Sequence, residues 1–179
     1  MYSLLSDDLN KRLSKTKLLA LDVDGVMTDG SVFFTALGDE IKSFNILDGQ
    51  GIKSLLLNDI EVAVITGRTS PLTEKRARDL GIKHITQGRE DKKTALLELC
   101  DKLNISPKEV AYVGDDLPDL SAIKIANVGF TVPNAHPFIR KHADYCTTLR
   151  GGEGAVREVC DLILCAKSLI DSYYEAYLG

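Results

Sequence analysis

Two carboxylates one residue apart, Asp22 and Asp24, follow the apolar run Leu18-Leu19-Ala20-Leu21 and are themselves followed by Gly25. The run lacks helical spacing and reads as a buried central strand of a parallel sheet, a fold in which ligands bind beyond the carboxyl ends of the strands. In an extended chain residues i and i+2 point the same way, so both carboxylates can face one ligand while Gly25 lets the backbone turn. Alone, the same residues also read as an Asp-Gly turn with Asp22 as a helix cap. Two further stretches deliver polar groups to the same edge. Glu61-Val62-Ala63-Val64-Ile65 reads as a second buried strand ending in Thr66-Gly67-Arg68, and Val110-Ala111-Tyr112-Val113 as a third ending in Gly114-Asp115-Asp116-Leu117-Pro118-Asp119. Between them, Gly88-Arg89-Glu90-Asp91-Lys92-Lys93 follows the short run His84-Ile85-Thr86 and opens a helix.

In chain order, Asp-x-Asp-Gly, Thr-Gly-Arg, Lys and Gly-Asp-Asp-x-x-Asp resemble the motifs of the haloacid dehalogenase superfamily of aspartate-nucleophile phosphatases. Hydrolysis of a phosphate monoester is extremely slow unaided. The site must therefore supply a nucleophile, a proton for the leaving alkoxide and positive charge for the phosphoryl oxygens. The resemblance implies that Asp22 attacks phosphorus to form an aspartyl-phosphate. Asp24 is then expected to protonate the leaving oxygen and to deprotonate the water that hydrolyses the acyl phosphate, with a pKa raised by nearby like charge. Clustered carboxylates repel one another and the phosphate, so a hard cation is needed, and oxygen ligands without His or Cys select Mg²⁺. Asp22, Asp115 and the backbone carbonyl of Asp24 are its expected ligands, with Asp116 and Asp119 supporting them from behind. The Thr66 hydroxyl and the Lys92 ammonium are expected on the phosphoryl oxygens.

The likeness extends further. The opening Asp22-Val23-Asp24-Gly25-Val26-Met27-Thr28-Asp29-Gly30, the segment Asn45-Ile46-Leu47-Asp48-Gly49 and the tail Gly151-Gly152-Glu153-Gly154-Ala155-Val156-Arg157-Glu158 resemble the family of 3-deoxy-D-manno-octulosonate 8-phosphate phosphatases. That resemblance implies a cytosolic, Mg²⁺-dependent homotetramer that feeds Kdo into lipopolysaccharide synthesis. It also implies substrate contacts at Asp24, Asn45, Asp48, Gly49, Lys53, Arg68, Arg76 and Lys92. A sugar acid that also bears phosphate is doubly anionic, which gives the basic side chains a physical reason. Leu47 departs from the pattern, because the family usually places Arg before Asp-Gly. Relatives acting on nine-carbon sugar-acid phosphates carry an acid where this chain has Arg68, so Arg68 favours the eight-carbon substrate.

Strand and helix alternate around these motifs. Ser6 can cap a short helix reaching Thr16. Gly30 to Thr35 and Ile41 to Asn45 read as a hairpin, and a helix opens at Asp48-Gly49-Gln50-Gly51, where Gly-x-Gly reads as a plain turn. Helices run from Ser70-Pro71 to Leu80 and from Asp91 to Leu103. Ala122 to Ala126 lies on another, and Val128 to Val132 reads as a fourth core strand. The result is an α/β three-layer sandwich around a mostly parallel, doubly wound sheet with right-handed crossovers. Between strand and helix there is only the hairpin, with no room for a cap domain.

Length and composition agree. The 179 residues suit one domain, and a net charge of −4 argues against nucleic-acid binding. No apolar stretch approaches the ~20 residues needed to span a bilayer, and the amino terminus does not read as a signal peptide. Cys100, Cys146, Cys160 and Cys165 form no Cys-x-x-Cys pair and read as buried thiols rather than disulfides or zinc ligands. Two non-enzyme alternatives are a receiver-type phosphoacceptor, which normally places its acceptor at the end of the third strand, and a non-catalytic scaffold. The hairpin carries Val32, Phe33, Phe34, Ile41 and Phe44, and two strands alone are marginally stable in water, so such a ribbon needs a partner. A homotetramer is therefore expected, each site completed by a neighbour's hairpin, with the tail from Gly151 onward as a second candidate cover; the alternative is that hairpin and tail both pack on their own subunit.

Overall fold

The computed structural model describes residues 5–178. The Ser6 hydroxyl accepts from the Leu9 amide and caps α1 (Asp7–Leu13), whose first turn carries Asp7 and Asp8 where the helix dipole favours them. The helix is a turn shorter than expected, closing at Ser14. β1 (Leu18–Leu21) follows, then a small antiparallel ribbon of β2 (Phe33–Phe34) and β3 (Glu40–Ile41), then α2 (Ile46–Leu57). The alternating part of the chain comprises β4 (Glu61–Ile65), α3 (Pro71–Leu80), β5 (His84–Thr86), α4 (Lys92–Leu103), β6 (Val110–Val113), α5 (Leu120–Ile125) and β7 (Val128–Thr131). α6 (Pro137–Arg140), β8 (Tyr145–Cys146), α7 (Ala155–Ala166) and α8 (Ile170–Glu175) complete it.

One six-stranded sheet runs in the order β5-β4-β1-β6-β7-β8, parallel throughout. β1 lies inside it, with Leu21 level with Val64 on one side and Val113 on the other. That register brings the ends of three strands, and the polar residues after them, to one edge. Successive β1 residues face opposite layers. Leu19 and Leu21 pack with Leu13, Ile52, Leu55, Val159 and Ile163 of α1, α2 and α7. Leu18 and Ala20 pack with Leu96, Leu99, Ala122 and Ile123 of α4 and α5. Each fully buried Leu contributes roughly 1.5–3 kcal/mol, which keeps the strand seated while its last residues deliver charge to the edge.

Several expectations need correction. The hairpin strands are two residues each, and the chain from Lys42 to Asn45 is irregular. α2 starts at Ile46 rather than Asp48, because Asn45 caps it by accepting from the Leu47 amide at 2.7 Å. Gly49 and Gly51 are thus inside a helix, not in a turn. A Cβ at Gly49 would press on Arg76 and Leu80 of α3, and one at Gly51 on Arg157 and Cys160 of α7. β8, too short to stand out from the sequence, adds a sixth strand beside β7. Cys100 and Cys160 are buried, but Cys165 is only half-buried and Cys146 is exposed on that edge strand.

The tail packs on its own chain. The Gly152 amide donates to the Val26 carbonyl at 3.0 Å, and α7 lies against α2. The buried Glu158 carboxylate pins the preceding loop by accepting from the Thr148 amide and hydroxyl, the Leu149 amide and the Tyr145 hydroxyl. α8 continues this packing: Ile170 is buried in the same core, and the Gln50 side-chain amide donates to the Tyr173 and Tyr177 hydroxyls at 2.9 Å. Among the described residues no helix is long and apolar enough to cross a membrane. Glu158→Ala, which strands those donors, is expected to cost about 2–3 kcal/mol. The urea midpoint should fall accordingly, and an unchanged midpoint would contradict the pinning role.

Candidate active site

The Asp22 amide donates to the Val113 carbonyl at 3.0 Å, so strand pairing extends up to the first carboxylate before the chain turns. The Val23 carbonyl then accepts from the Met27 and Thr28 amides, folding the following loop back on itself. On the neighbouring strand the Thr66 amide donates to the Thr86 carbonyl, and the Thr66 carbonyl accepts from the Arg89 amide. This ties the loop after β4 to the one that leads into α4, whose first residue is Lys92. Together these loops enclose a cavity of about 370 Å³ lined by Asp22, Asp24, Thr66, Arg68, Lys92 and Asp115.

Lys92 is 3 % exposed, and its ammonium lies 2.9 Å from Asp22 Oδ1 and 2.7 Å from Asp119 Oδ1. Burial opposes its charge, but the two carboxylates outweigh burial and raise its pKa. Asp119 is engaged on both oxygens. Oδ1 also accepts from the Tyr112 hydroxyl at 2.8 Å, and Oδ2 accepts from the Asp115 and Asp116 amides at 3.1 and 3.2 Å. It can lie this close under the loop only because residue 114 is glycine; a Cβ there would fall on the Asp119 side chain. Burial first, then repulsion from Asp119, raises the Asp22 pKa to about 7. Burial, then Asp22 and Asp119, raises that of Asp115 to about 8.

Asp22, Asp115 and Asp119 each offer an oxygen within 4.8 Å of the others. The set fits a hard divalent cation: all donors are carboxylate oxygens, and the Asp22 and Asp115 carboxyls resist ionising together without positive charge between them. Asp119 already accepts from four donors, which orient it toward Lys92 and the 115–116 backbone, so Asp22 and Asp115 are the members of the set that could hold such a cation. Gly25 has φ +94°, and a Cβ on it would collide with the Asp115 carboxylate, so glycine is required for the loops to close on one another. Asp116 instead caps the turn Leu117–Asp119, its Oδ1 accepting from the Leu117 amide.

Asp24 stands apart from the acidic cluster. Its neighbours are cations, Lys42 at Oδ1 and Arg68 Nε 3.6 Å from Oδ2, rather than the like charge expected. Lys42 and its companion Glu40 were missed by sequence reasoning, since both sit in a short ribbon with no motif around them. Arg68 joins the cavity wall, but Asn45, Asp48, Gly49, Lys53 and Arg76 do not line the cavity of their own chain. Asn45 caps α2 and donates from Nδ2 to the Gly152 carbonyl. Asp48 is buried, accepts from the Arg157 amide and has its pKa pushed up to about 6 by burial. Arg76 donates to the Asn45 carbonyl and covers the Phe44 ring, while Lys53 is exposed on α2.

Comparison with known proteins agrees with this geometry. Residues 80–158 match the family model of haloacid dehalogenase-like hydrolases. The 3-deoxy-D-manno-octulosonate 8-phosphate phosphatase of Escherichia coli K12 is 46% identical over 170 residues, 95% of this chain and 90% of its own. The crystal structure of the Moraxella catarrhalis 3-deoxy-D-manno-octulosonate 8-phosphate phosphatase in complex with magnesium ion, phosphate ion and a KDO molecule superposes with a TM-score of 0.95 at 44% identity, covering 97% of this chain and 99% of that one. A probable YrbI family phosphatase from Pseudomonas syringae gives 0.95 at 48% identity with the same coverage. The chain belongs to the haloacid dehalogenase-like hydrolases and, within them, to the family of 3-deoxy-D-manno-octulosonate 8-phosphate phosphatases.

The raised carboxyl pKa values give the metal-free protein a pH signature. Asp22 and Asp115 bind protons more tightly folded than unfolded, where both titrate near 3.8. Metal-free protein should therefore lose stability as pH rises above that value and through about 7 to 8. Mg²⁺ at a hundredfold excess over its dissociation constant should add about 2.7 kcal/mol. Melting temperatures in EDTA and in Mg²⁺ across pH are the check: the gap between them should widen as pH rises, and a constant gap would contradict the shared-cation site.

Proposed function

We propose that the protein is a cytoplasmic, Mg²⁺-dependent phosphatase, built as one catalytic domain, that hydrolyses 3-deoxy-D-manno-octulosonate 8-phosphate to Kdo and inorganic phosphate. The observation that carries this is the buried Lys92 ammonium held against Asp22 at the end of β1 in a chain with this family's fold and sequence. An oxygen of Asp22 attacks phosphorus as the bond to the sugar oxygen breaks, and Asp24 gives its proton to that oxygen. Asp24 then takes a proton from water, whose oxygen attacks phosphorus and releases Asp22 and inorganic phosphate. Asp22, Asp115 and the Asp24 carbonyl would hold Mg²⁺, which supplies the positive charge that lets the carboxylates and the phosphate share one site. Lys92 and Thr66 steady the phosphoryl oxygens, and Arg68 at the cavity wall faces the sugar acid.

Asp22→Asn is expected to abolish release of inorganic phosphate from this substrate. Asp24→Asn should slow release by about 10²–10⁴-fold while phosphate analogues still bind with Mg²⁺. Substantial turnover by Asp22→Asn would remove the nucleophile assignment.

The assembly we propose is a homotetramer in which a neighbour's hairpin covers each site. Phe33, Phe34 and Ile41 are 54 %, 64 % and 53 % exposed on a ribbon too short to be stable alone. An uncovered site would also lose the low dielectric that strengthens its electrostatics. Sedimentation at assay concentration should give a tetramer, and Phe34→Asp should dissociate it with loss of activity. A fully active monomer would contradict the assembly.

A further inference from the structure

Lys42 belongs to none of the motifs, yet its side chain is only 3 % exposed although it follows a surface ribbon. Enclosing an ammonium is unfavourable unless carboxylates compensate it, and lysines ordinarily reach their ammonium out to water. Instead it contacts Asp24 Oδ1 and lies 3.7 Å from Glu40 Oε1. Glu40 Oε1 in turn accepts from Arg68 Nη2 at 2.8 Å, and Arg68 Nε lies 3.6 Å from Asp24 Oδ2. The charges alternate in sign around a closed ring: Asp24, Lys42, Glu40, Arg68 and back to Asp24. Ser70, the residue that precedes α3, fixes the ring to the scaffold by donating its hydroxyl to Glu40 Oε2 at 2.6 Å.

The two cations on Asp24 are not equivalent. Arg68 is 48 % exposed and its contact with Asp24 is long, so it can turn toward an anionic substrate. Lys42 is enclosed and cannot. Once Arg68 engages a substrate, Lys42 is the cation still holding Asp24 Oδ1. With that oxygen held, the carboxyl group is left with Oδ2, the oxygen beside Arg68 of the cavity wall. We propose that Lys42 is a positioning residue for phosphoryl transfer: it fixes the Asp24 carboxyl so that the proton leaves from and returns to Oδ2. This rests on the phosphatase reading above. As the P–O bond to the leaving group breaks, the Oδ2 proton passes to the departing oxygen. As water attacks phosphorus, its proton returns to Oδ2 and the bond to Asp22 breaks.

A misplaced general acid matters in proportion to how badly the leaving group needs its proton. The experiment is kcat/KM with Mg²⁺ for aryl phosphates from para-nitrophenyl to phenyl phosphate, in wild type and in Lys42→Met, which keeps the apolar stem and removes the ammonium. The loss should be within about twofold for para-nitrophenyl phosphate and about tenfold or more for phenyl phosphate, steepening the dependence on leaving-group basicity. An equal loss across the series, or none, overturns the positioning role, since a merely structural residue would lower all members alike. Glu40→Gln gives the same readout with the ammonium retained, should Lys42→Met not fold. A smaller steepening is expected there, and an unchanged slope overturns the proposal. Wild-type turnover of the series tests the phosphatase reading separately: if wild type is inactive that reading fails, whereas an active wild type with a parallel Lys42→Met series removes the positioning role alone.

Discussion

A buried ammonium between two carboxylates sets the terms for the rest of this structure. Lys92 cannot be enclosed at the mouth of α4 without Asp22 and Asp119, and neither carboxylate could be as buried without Lys92. Two carboxylates and one ammonium leave an excess of negative charge, to which Asp115 adds. That excess makes the site a receptor for a divalent cation and, with the cation, for a dianionic phosphoryl group. The same charges that would destabilise an ordinary core thus define what the cavity can bind.

Holding this cluster together is a backbone problem as much as an electrostatic one. The parallel register of β1, β4 and β6 brings the groups to one edge. The loops then come closer than side chains allow, which is why glycines occupy positions 25 and 114. Asp119 turns back under its own loop to take two amides, pinning the acidic stretch to the buried carboxylate. Asn134 ties the tail to the same edge, donating to the Gly25 carbonyl and accepting from the Gly151 amide.

How much of this the sequence revealed follows from the range of each interaction. Apolar runs ending in Asp22, Thr66 and Asp115 were legible because strand burial and the group that follows are adjacent in the chain. So was the cap at Ser6, whose hydrogen bond spans three residues. The start of α2 was misplaced because Gly49 and Gly51 look like a turn until α3 and α7 are seen pressing on them. Lys42 was missed for a similar reason: its partner Asp24 is 18 residues away, and nothing in the ribbon marks it. The placement of Asn45, Asp48 and Arg76 in the α2–α3–α7 packing, rather than on the cavity, likewise depends on tertiary contacts.

What unites these features is a claim about one atom group: the Asp22 carboxylate forms a bond to phosphorus. Acid quench of wild-type protein within a single turnover of substrate and Mg²⁺, followed by peptide mass spectrometry, tests it most directly. A phosphoryl group on the peptide bearing Asp22, appearing and decaying with turnover, is the predicted result. Turnover with no adduct at any time, or with the adduct on another residue, would contradict the account.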